Sequence, residues 1–89
     1  MSNGDRSADN VKQDVRDYVL AEFLPGEDAS ELQNDTPLIT GGILDSISTV
    51  MLVSYLEERF HVKFQAHEIN PEHLDTLDRI ATTVVAKAG

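Results

Sequence analysis

Ser46 is the side chain whose surroundings most clearly suggest chemistry. It follows a pair of glycines, Gly41 and Gly42, and comes directly after Asp45, at the point where an apolar helical pattern begins. A serine at the start of a helix commonly caps it, because its hydroxyl accepts a backbone N–H that has no partner within the helix. In enzymes a serine can instead attack a substrate when a neighbouring base activates it. The rest of the sequence separates these interpretations.

The residues around Ser46 argue against an enzyme that uses this serine as its own nucleophile. The sharp turn that exposes a catalytic serine in many hydrolases needs a glycine two residues before the serine and another two residues after it. Leu44 and Ser48 occupy these positions here. The chain also offers no obvious histidine base and orienting acid in the order of a catalytic triad. We therefore predict no catalytic residues.

Metal and thiol chemistry also find little support in the sequence. His61, His67 and His73 are six residues apart, which is not the spacing of ligands on one helix face. The acids within residues 27–35 do not follow the calcium-loop pattern and are predicted to form a solvated surface. The chain has no cysteine, so disulfides, zinc–thiolate sites and thiol nucleophiles of the polypeptide are excluded. We predict no metal site.

The elements that must position Ser46 begin with an amphipathic helix. Apolar residues recur at three- and four-residue steps between residues 10 and 23, which predicts a helix with one buried stripe. Asp9 or Asn10 is expected to cap its N-terminus, and Pro25 cannot continue it. Residues 25–45 then form a long connection, and a connection of this length usually has a function or internal order.

The second helix is predicted from Ser46 to Phe60 and is apolar on most of its sides. By helical spacing, one side of this helix is lined by Ile47, Val50, Val53 (or Ser54), Leu56 and Phe60, and Met51, Leu52 and Tyr55 widen the apolar surface beyond a single stripe. Such a helix either lies at the centre of the core or offers part of its surface to a partner.

Two further segments complete the expected fold. A short third element is predicted at residues 66–69, with an extension through 71–74, and a last helix begins at Thr76. No alternating strand pattern is present. We predict an all-α protein, a small four-helix bundle with a long first loop and a short third helix. Residues 1–9 are expected to form a flexible tail and residues 10–89 a single domain.

The charge of the chain indicates the kind of partner. Sixteen acidic and seven basic side chains give a formal net charge of −9 over 89 residues. This charge repels nucleic acids and anionic membranes and favours basic surfaces on proteins, although it can equally serve to keep a small domain dissolved. There is no apolar signal-peptide core and no apolar run near the roughly 20 residues that span a bilayer. We expect a cytoplasmic monomer with no nucleic acid partner and no membrane insertion.

The segment around Ser46 resembles the acyl carrier proteins. The resemblance rests on Gly42–Ile47, Thr49-Val50 and Leu56–Phe60, and it extends over about residues 10–86. It implies that a phosphopantetheinyl transferase moves 4′-phosphopantetheine from coenzyme A onto Ser46. It further implies that a ligase loads an acyl or aminoacyl group on the thiol of this arm, as a thioester, for a downstream transferase or synthase. A stand-alone carrier of this type is not itself an enzyme.

The start of the second helix suits such an attachment. Unpaired N–H groups and the helix dipole favour a phosphodiester on Ser46, whereas the charge of Asp45 does not. The resemblance implies that Asp45 assists the metal or basic contacts of the transferase, and capping of the helix is a compatible role. Gly41 and Gly42 either let the loop approach the helix closely or serve as ordinary turn glycines.

Partners of acyl carrier proteins dock on the helix that follows the serine. The docking residues implied for this chain are Ile47, Met51, Glu57 and Glu58. Packing in the core is the alternative role of Met51. Leu44, Met51 and Ser54 differ from fatty-acid carriers, which favours a dedicated carrier of D-alanine, another amino acid or a specialised acyl group. An unmodified helical interaction module of the same fold is the alternative function.

Overall fold

A computed structural model describes residues 8–28, 30 and 32–88, and the regular structure of these residues is helical. In chain order the helices are α1 (Ala8–Phe23), α2 (Ser46–Phe60), a 3₁₀ helix (Ala66–Glu68), α3 (Pro71–Leu74) and α4 (Leu77–Ala88). This order confirms the predicted all-α fold with four helices, a long first loop and a short third helix. The bounds of α2 are those predicted. None of the described helices is long and apolar enough to cross a membrane.

The N-terminus of α1 differs from the prediction. The helix already includes Ala8, so Asp9 and Asn10 lie within its first turn and the predicted cap at either residue is wrong. Asp9 still favours the helix, since a negative charge near an N-terminus interacts well with the helix dipole. The rest of the predicted tail, residues 1–7, lies outside the described residues. At the other end, the turn predicted around Pro25 is present, with a positive φ at Gly26.

The core lies between α1, α2 and α4, and two segments of the long loop close it. α1 and α4 pack against each other most extensively. The helices contribute Val11, Val15, Val19, Leu52, Val53, Leu56, Phe60, Leu77, Ile80, Ala81 and Val84. The loop contributes Leu32, Leu38 and Leu44, all fully buried or nearly so. The loop is therefore fixed to the core at several points along its length.

The apolar side of α2 that the sequence predicted is buried in the later turns of the helix but not in the first two. Ile47 and Val50 are 72% and 56% exposed, whereas Thr49 and Leu52 are buried. The burial of Thr49 is tolerated because its hydroxyl donates to the Asp45 carbonyl oxygen at 2.7 Å. A helix that is apolar on most sides has no single stripe to define its rotation. Its packing partners decide which side is buried.

The two tyrosines of the chain join α1 to α2. The rings of Tyr18 and Tyr55 stack with their centroids 4.1 Å apart and their planes inclined by 10°. The Tyr55 hydroxyl donates to the Asp14 carbonyl oxygen at 3.3 Å, and the Tyr18 hydroxyl donates to the Met51 carbonyl oxygen at 3.4 Å. An ion pair of 2.9 Å between Arg59 and Asp14 adds to this interface.

Local hydrogen bonds divide the predicted third segment into two elements. Asn70 caps α3, since its Oδ1 accepts the backbone N–H of His73 at 3.1 Å, and Pro71 occupies the first turn. Thr76, predicted as the first residue of the last helix, caps α4 by accepting the backbone N–H of Arg79 at 3.0 Å. The sequence thus located these elements but did not separate the 3₁₀ helix from α3.

Candidate functional site

Ser46 is the first residue of α2, and it does not cap the helix. The cap is Asp45, which has an extended backbone and accepts the N–H of Ser48 on Oδ1 at 2.7 Å. The interpretation of Ser46 as the cap was therefore wrong, and the capping role considered for Asp45 is the one observed. Ser46 is exposed, and its hydroxyl has no hydrogen-bond partner within the described part of the chain. It is accessible to an enzyme that modifies it.

Asp45 keeps a negative charge beside the serine. Hydrogen bonds from the backbone N–H and the side chain of Ser48 hold the pKa of the Asp45 carboxyl below its ordinary value, although slight desolvation acts in the opposite direction. The charge interacts favourably with the positive end of the α2 dipole. The cap therefore fixes the direction in which the chain enters α2, and with it the position of Ser46.

The two glycines before Ser46 have different structural roles. Gly42 has a positive φ, +87°, and its N–H donates to the Ile39 carbonyl oxygen at 3.1 Å. A side chain on Gly41 would collide with the carbonyl oxygen of Pro37. The close approach that the sequence suggested thus occurs within the loop, between Gly41 and Pro37, and not against the helix. Gly42 is the turn glycine.

Asp75 holds the loop that leads to Ser46, and sequence reasoning missed it. Its Oδ1 accepts the backbone N–H groups of Ile39 and Thr40 at 2.8 and 2.9 Å, and its Oδ2 accepts the Thr40 hydroxyl at 2.8 Å. Burial raises the pKa of Asp75, but these hydrogen bonds and the charge of Arg79 outweigh burial and keep the pKa below its ordinary value. No local spacing in the sequence connects position 75 with positions 39 and 40.

A cleft of about 480 Å³ lies beside Ser46. Its walls are formed by Ile39, Leu44, Asp45, Ser46, Thr49, Val50, Ile69, Asn70 and Pro71. The lining combines aliphatic side chains with a few polar groups, which suits a flexible organic chain that carries amides. An arm attached to Ser46 would therefore have space beside its attachment point. The site fits a covalently attached prosthetic group.

The predicted docking residues lie on α2 but differ in exposure. Ile47 and Met51 are exposed, with Val50 between them in sequence and also exposed, so Met51 does not pack in the core. Glu58 is exposed, whereas Glu57 is half-buried and accepts the backbone N–H of Phe64 at 2.9 Å. Sequence reasoning assigned Val50 to an apolar side of α2 and did not include it among the docking residues. We call Ile47, Val50 and Met51 the apolar patch.

Comparison with known proteins identifies the relatives of the chain. No family model matches it. A D-alanyl carrier protein of Streptococcus suis (strain 05ZYH33) is 38% identical over 76 residues, which is 85% of this chain and 92% of that protein. A D-alanyl carrier protein of Lactobacillus acidophilus is 33% identical over 75 residues, 84% of this chain and 91% of that protein. One from Lactococcus lactis subsp. cremoris is 31% identical over 77 residues.

These relatives bear on the expectations of cofactor and activity. Carrier proteins of this kind bear a 4′-phosphopantetheine prosthetic group and are not themselves enzymes, which confirms both predictions. The exposed serine at the start of α2 and the cleft beside it fit that group. With at least 84% of the chain aligned to relatives that are 33–38% identical, this protein belongs to the family of acyl-carrier-type carrier proteins that includes the D-alanyl carrier proteins.

Proposed function

We propose that this chain carries D-alanine as a thioester on a 4′-phosphopantetheine arm attached to Ser46. The observation that carries the proposal is an exposed serine hydroxyl at the first position of α2, in a chain related to D-alanyl carrier proteins. The residues that differ from fatty-acid carriers, Leu44 and Met51 among them, support an aminoacyl cargo over a fatty acyl one.

Attachment of the arm uses Ser46 and the N-terminus of α2. The Ser46 Oγ forms a bond to the phosphorus that bears the pantetheine of coenzyme A, and the pyrophosphate P–O bond breaks. The hydroxyl proton goes to a base of the transferase, and the adenosine bisphosphate leaves. The new phosphodiester lies at the positive end of the helix dipole. When bound, the arm supplies the thiol that the cysteine-free polypeptide lacks.

The apolar patch and nearby acids form the proposed docking surface for the transferase and the ligase. Three exposed aliphatic side chains on one helix, beginning next to Ser46, are unusual on the surface of a small monomer. Glu58 is exposed on the same helix. Of the two predicted acids, Glu58 is better placed for a basic partner residue, because Glu57 is hydrogen-bonded to Phe64. Asp45 adds charge beside the serine.

Modification of the purified protein tests the attachment site. The protein is incubated with coenzyme A and a broad-specificity phosphopantetheinyl transferase, and its intact mass is measured. We expect the mass of one arm on the wild type and no gain on Ser46→Ala. Ser54→Ala is the matched control, because Ser54 is an exposed serine on the same helix, and it should be modified like the wild type.

A mass gain that survives Ser46→Ala would contradict the attachment site. Absence of any gain on the wild type would favour the unmodified interaction module. The cargo is then read from the protein isolated from its source cell: hydroxylamine releases the group from the arm, its mass identifies the group, and chiral chromatography gives its configuration. We expect alanine hydroxamate of the D configuration, and a fatty acyl hydroxamate in its place would contradict the proposed cargo.

A further inference from the structure

Three hydrogen bonds connect the carboxylate of Asp75 to a loop more than thirty positions earlier in the chain. Ile39 and Thr40 donate through their backbone N–H groups to Oδ1, and Thr40 also donates through its hydroxyl to Oδ2. Asp75 is 9% exposed, so water competes poorly for these bonds. Hydrogen bonds to an ionised acceptor are about twice as strong as neutral ones.

The main chain of Asp75 makes a second connection, towards the attachment site. The backbone N–H of Leu38 donates to the Asp75 carbonyl oxygen at 2.6 Å, and the Leu38 carbonyl oxygen accepts the N–H of Leu44 at 2.8 Å. Asp45 follows Leu44 directly and caps α2. Two backbone hydrogen bonds and two peptide bonds thus lead from the main chain of Asp75 to Ser46.

Besides the Asp75 carboxylate, the stretch between Leu38 and Leu44 is held by two backbone hydrogen bonds, Gly42 to Ile39 and Leu44 to Leu38, and by the half-buried side chains of Ile39 and Ile43. Leu38 and Leu44 are buried at its two ends, but Thr40 is exposed and is followed by two exposed glycines, Gly41 and Gly42. Glycine has more backbone freedom than any other residue, so a free loop with this sequence would sample many conformations. The Asp75 carboxylate is the group that removes this freedom at residues 39 and 40.

We propose that Asp75 is a positioning residue for Ser46: its carboxylate holds the loop in the one conformation in which a partner enzyme can engage the serine. This inference rests on the proposed function, since it concerns how Ser46 is presented for modification. Loss of the hydrogen bonds that the Asp75 side chain makes lowers the fraction of molecules with a competent loop. The apparent affinity of a partner falls in proportion to that fraction, while the rate within the bound complex is retained.

The kinetics of arm transfer test this inference with matched variants. For Asp75→Ala we expect the apparent KM of the transferase for the carrier to rise about tenfold, with kcat changed less than about twofold. Asp75→Asn should stay within about twofold of the wild type in KM, because its Oδ1 can accept both N–H groups and its Nδ2 can donate to the Thr40 hydroxyl. Asp78→Ala is the control, since Asp78 is an exposed acid paired with Lys12.

Amide hydrogen exchange on the unmodified protein tests the same inference without the transferase. In Asp75→Ala we expect the amides of Ile39, Thr40 and Leu44 to exchange at least about tenfold faster, while the core amides of α1 and α4 keep their protection. Unchanged loop exchange, or an unchanged KM with faster loop exchange, would overturn the proposal. Failure of the wild type to accept an arm would instead overturn the proposed function and leave the exchange result intact.

A second variant keeps the proposal testable if Asp75→Ala unfolds, which loss of protection in α1 and α4 would reveal. Thr40→Val removes only the hydroxyl bond of 2.8 Å to Oδ2 and leaves both backbone bonds to Oδ1. We expect a rise in KM of about two- to threefold and faster exchange confined to the loop. A KM equal to that of the wild type in this variant would overturn the proposal.

Discussion

The two sides of α2 are both apolar, but only one of them belongs to the core. Leu52, Leu56 and Phe60 are at most 1% exposed, whereas Ile47 and Met51 are 72% and 43% exposed. Apolar surface buried inside the domain stabilises the fold. Apolar surface left in water contributes little to stability and is available to a partner. The difference separates the residues of α2 that stabilise the fold from those of the proposed docking surface beside Ser46.

The largest expected effect comes from the buried side. Leu56→Ala removes a side chain that is fully buried and should lower the free energy of unfolding by about 2–5 kcal/mol. Urea denaturation followed by circular dichroism measures it. If Leu56→Ala lowers the free energy of unfolding no more than Met51→Ser on the exposed side, the two sides of α2 do not differ in their contribution to stability.

The cap at the start of α2 should have a smaller effect. Asp45→Ala removes the acceptor of the Ser48 N–H and should lower the melting temperature by a few degrees at neutral pH, whereas Asp45→Asn retains a cap. Because the pKa of Asp45 is lowered in the folded state, the stability contributed by its charge is present above about pH 4 and is lost as the pH falls through the folded-state pKa.

Thermal unfolding of the three proteins between about pH 7 and pH 2 checks both parts of this expectation. The difference in melting temperature between the wild type and Asp45→Ala should shrink below about pH 4. The difference between Asp45→Asn and Asp45→Ala should not change with pH. A wild-type difference that does not shrink at the lowest pH would show that the charge of the Asp45 carboxylate adds nothing to the cap.

The smallest effect on stability is expected on the exposed side. Met51→Ser should change the free energy of unfolding by less than about 0.5 kcal/mol, yet slow loading of the arm about fivefold or more if a partner covers Met51. The rate of thioester formation with the ligase measures this. Ser54→Ala, on an exposed part of the same helix, should load at the wild-type rate. Wild-type loading of Met51→Ser would remove Met51 from the docking surface.

The local features of the fold and site could be predicted from the sequence. The bounds of α2 and the turn after Phe23 follow from apolar spacing, proline and glycine, which act within a few residues. The rotation of α2 could not be predicted, because Ile47 and Leu52 are equally suited to burial and only tertiary packing chooses between them. The position of Ser46 at the start of α2 could thus be predicted, whereas Val50 was not recognised as part of the apolar patch.

Hydrogen bonds between residues far apart in the chain could not be predicted from the spacing of residue types. Asp75 lies between an apolar residue, Leu74, and the cap of α4, so in sequence it resembles an ordinary turn acid. Its role depends on the fold bringing the loop at Ile39 and Thr40 within 2.9 Å of its carboxylate. Taking Ser46 instead of Asp45 as the cap of α2 is a local error, since serine and aspartate are both good caps and the two residues are adjacent.

The stacked tyrosines give the protein an intrinsic optical reporter. The chain has two tyrosines, three phenylalanines and no tryptophan, so the longest-wavelength part of its near-ultraviolet absorption and of its intrinsic emission comes from Tyr18 and Tyr55. Since their ring centroids are 4.1 Å apart and one ring lies on each of α1 and α2, the near-ultraviolet circular dichroism should follow the contact between these two helices. Modification or loading at Ser46 should leave this spectrum unchanged unless it also moves α2. The spectrum therefore tests whether loading changes the packing of α1 against α2.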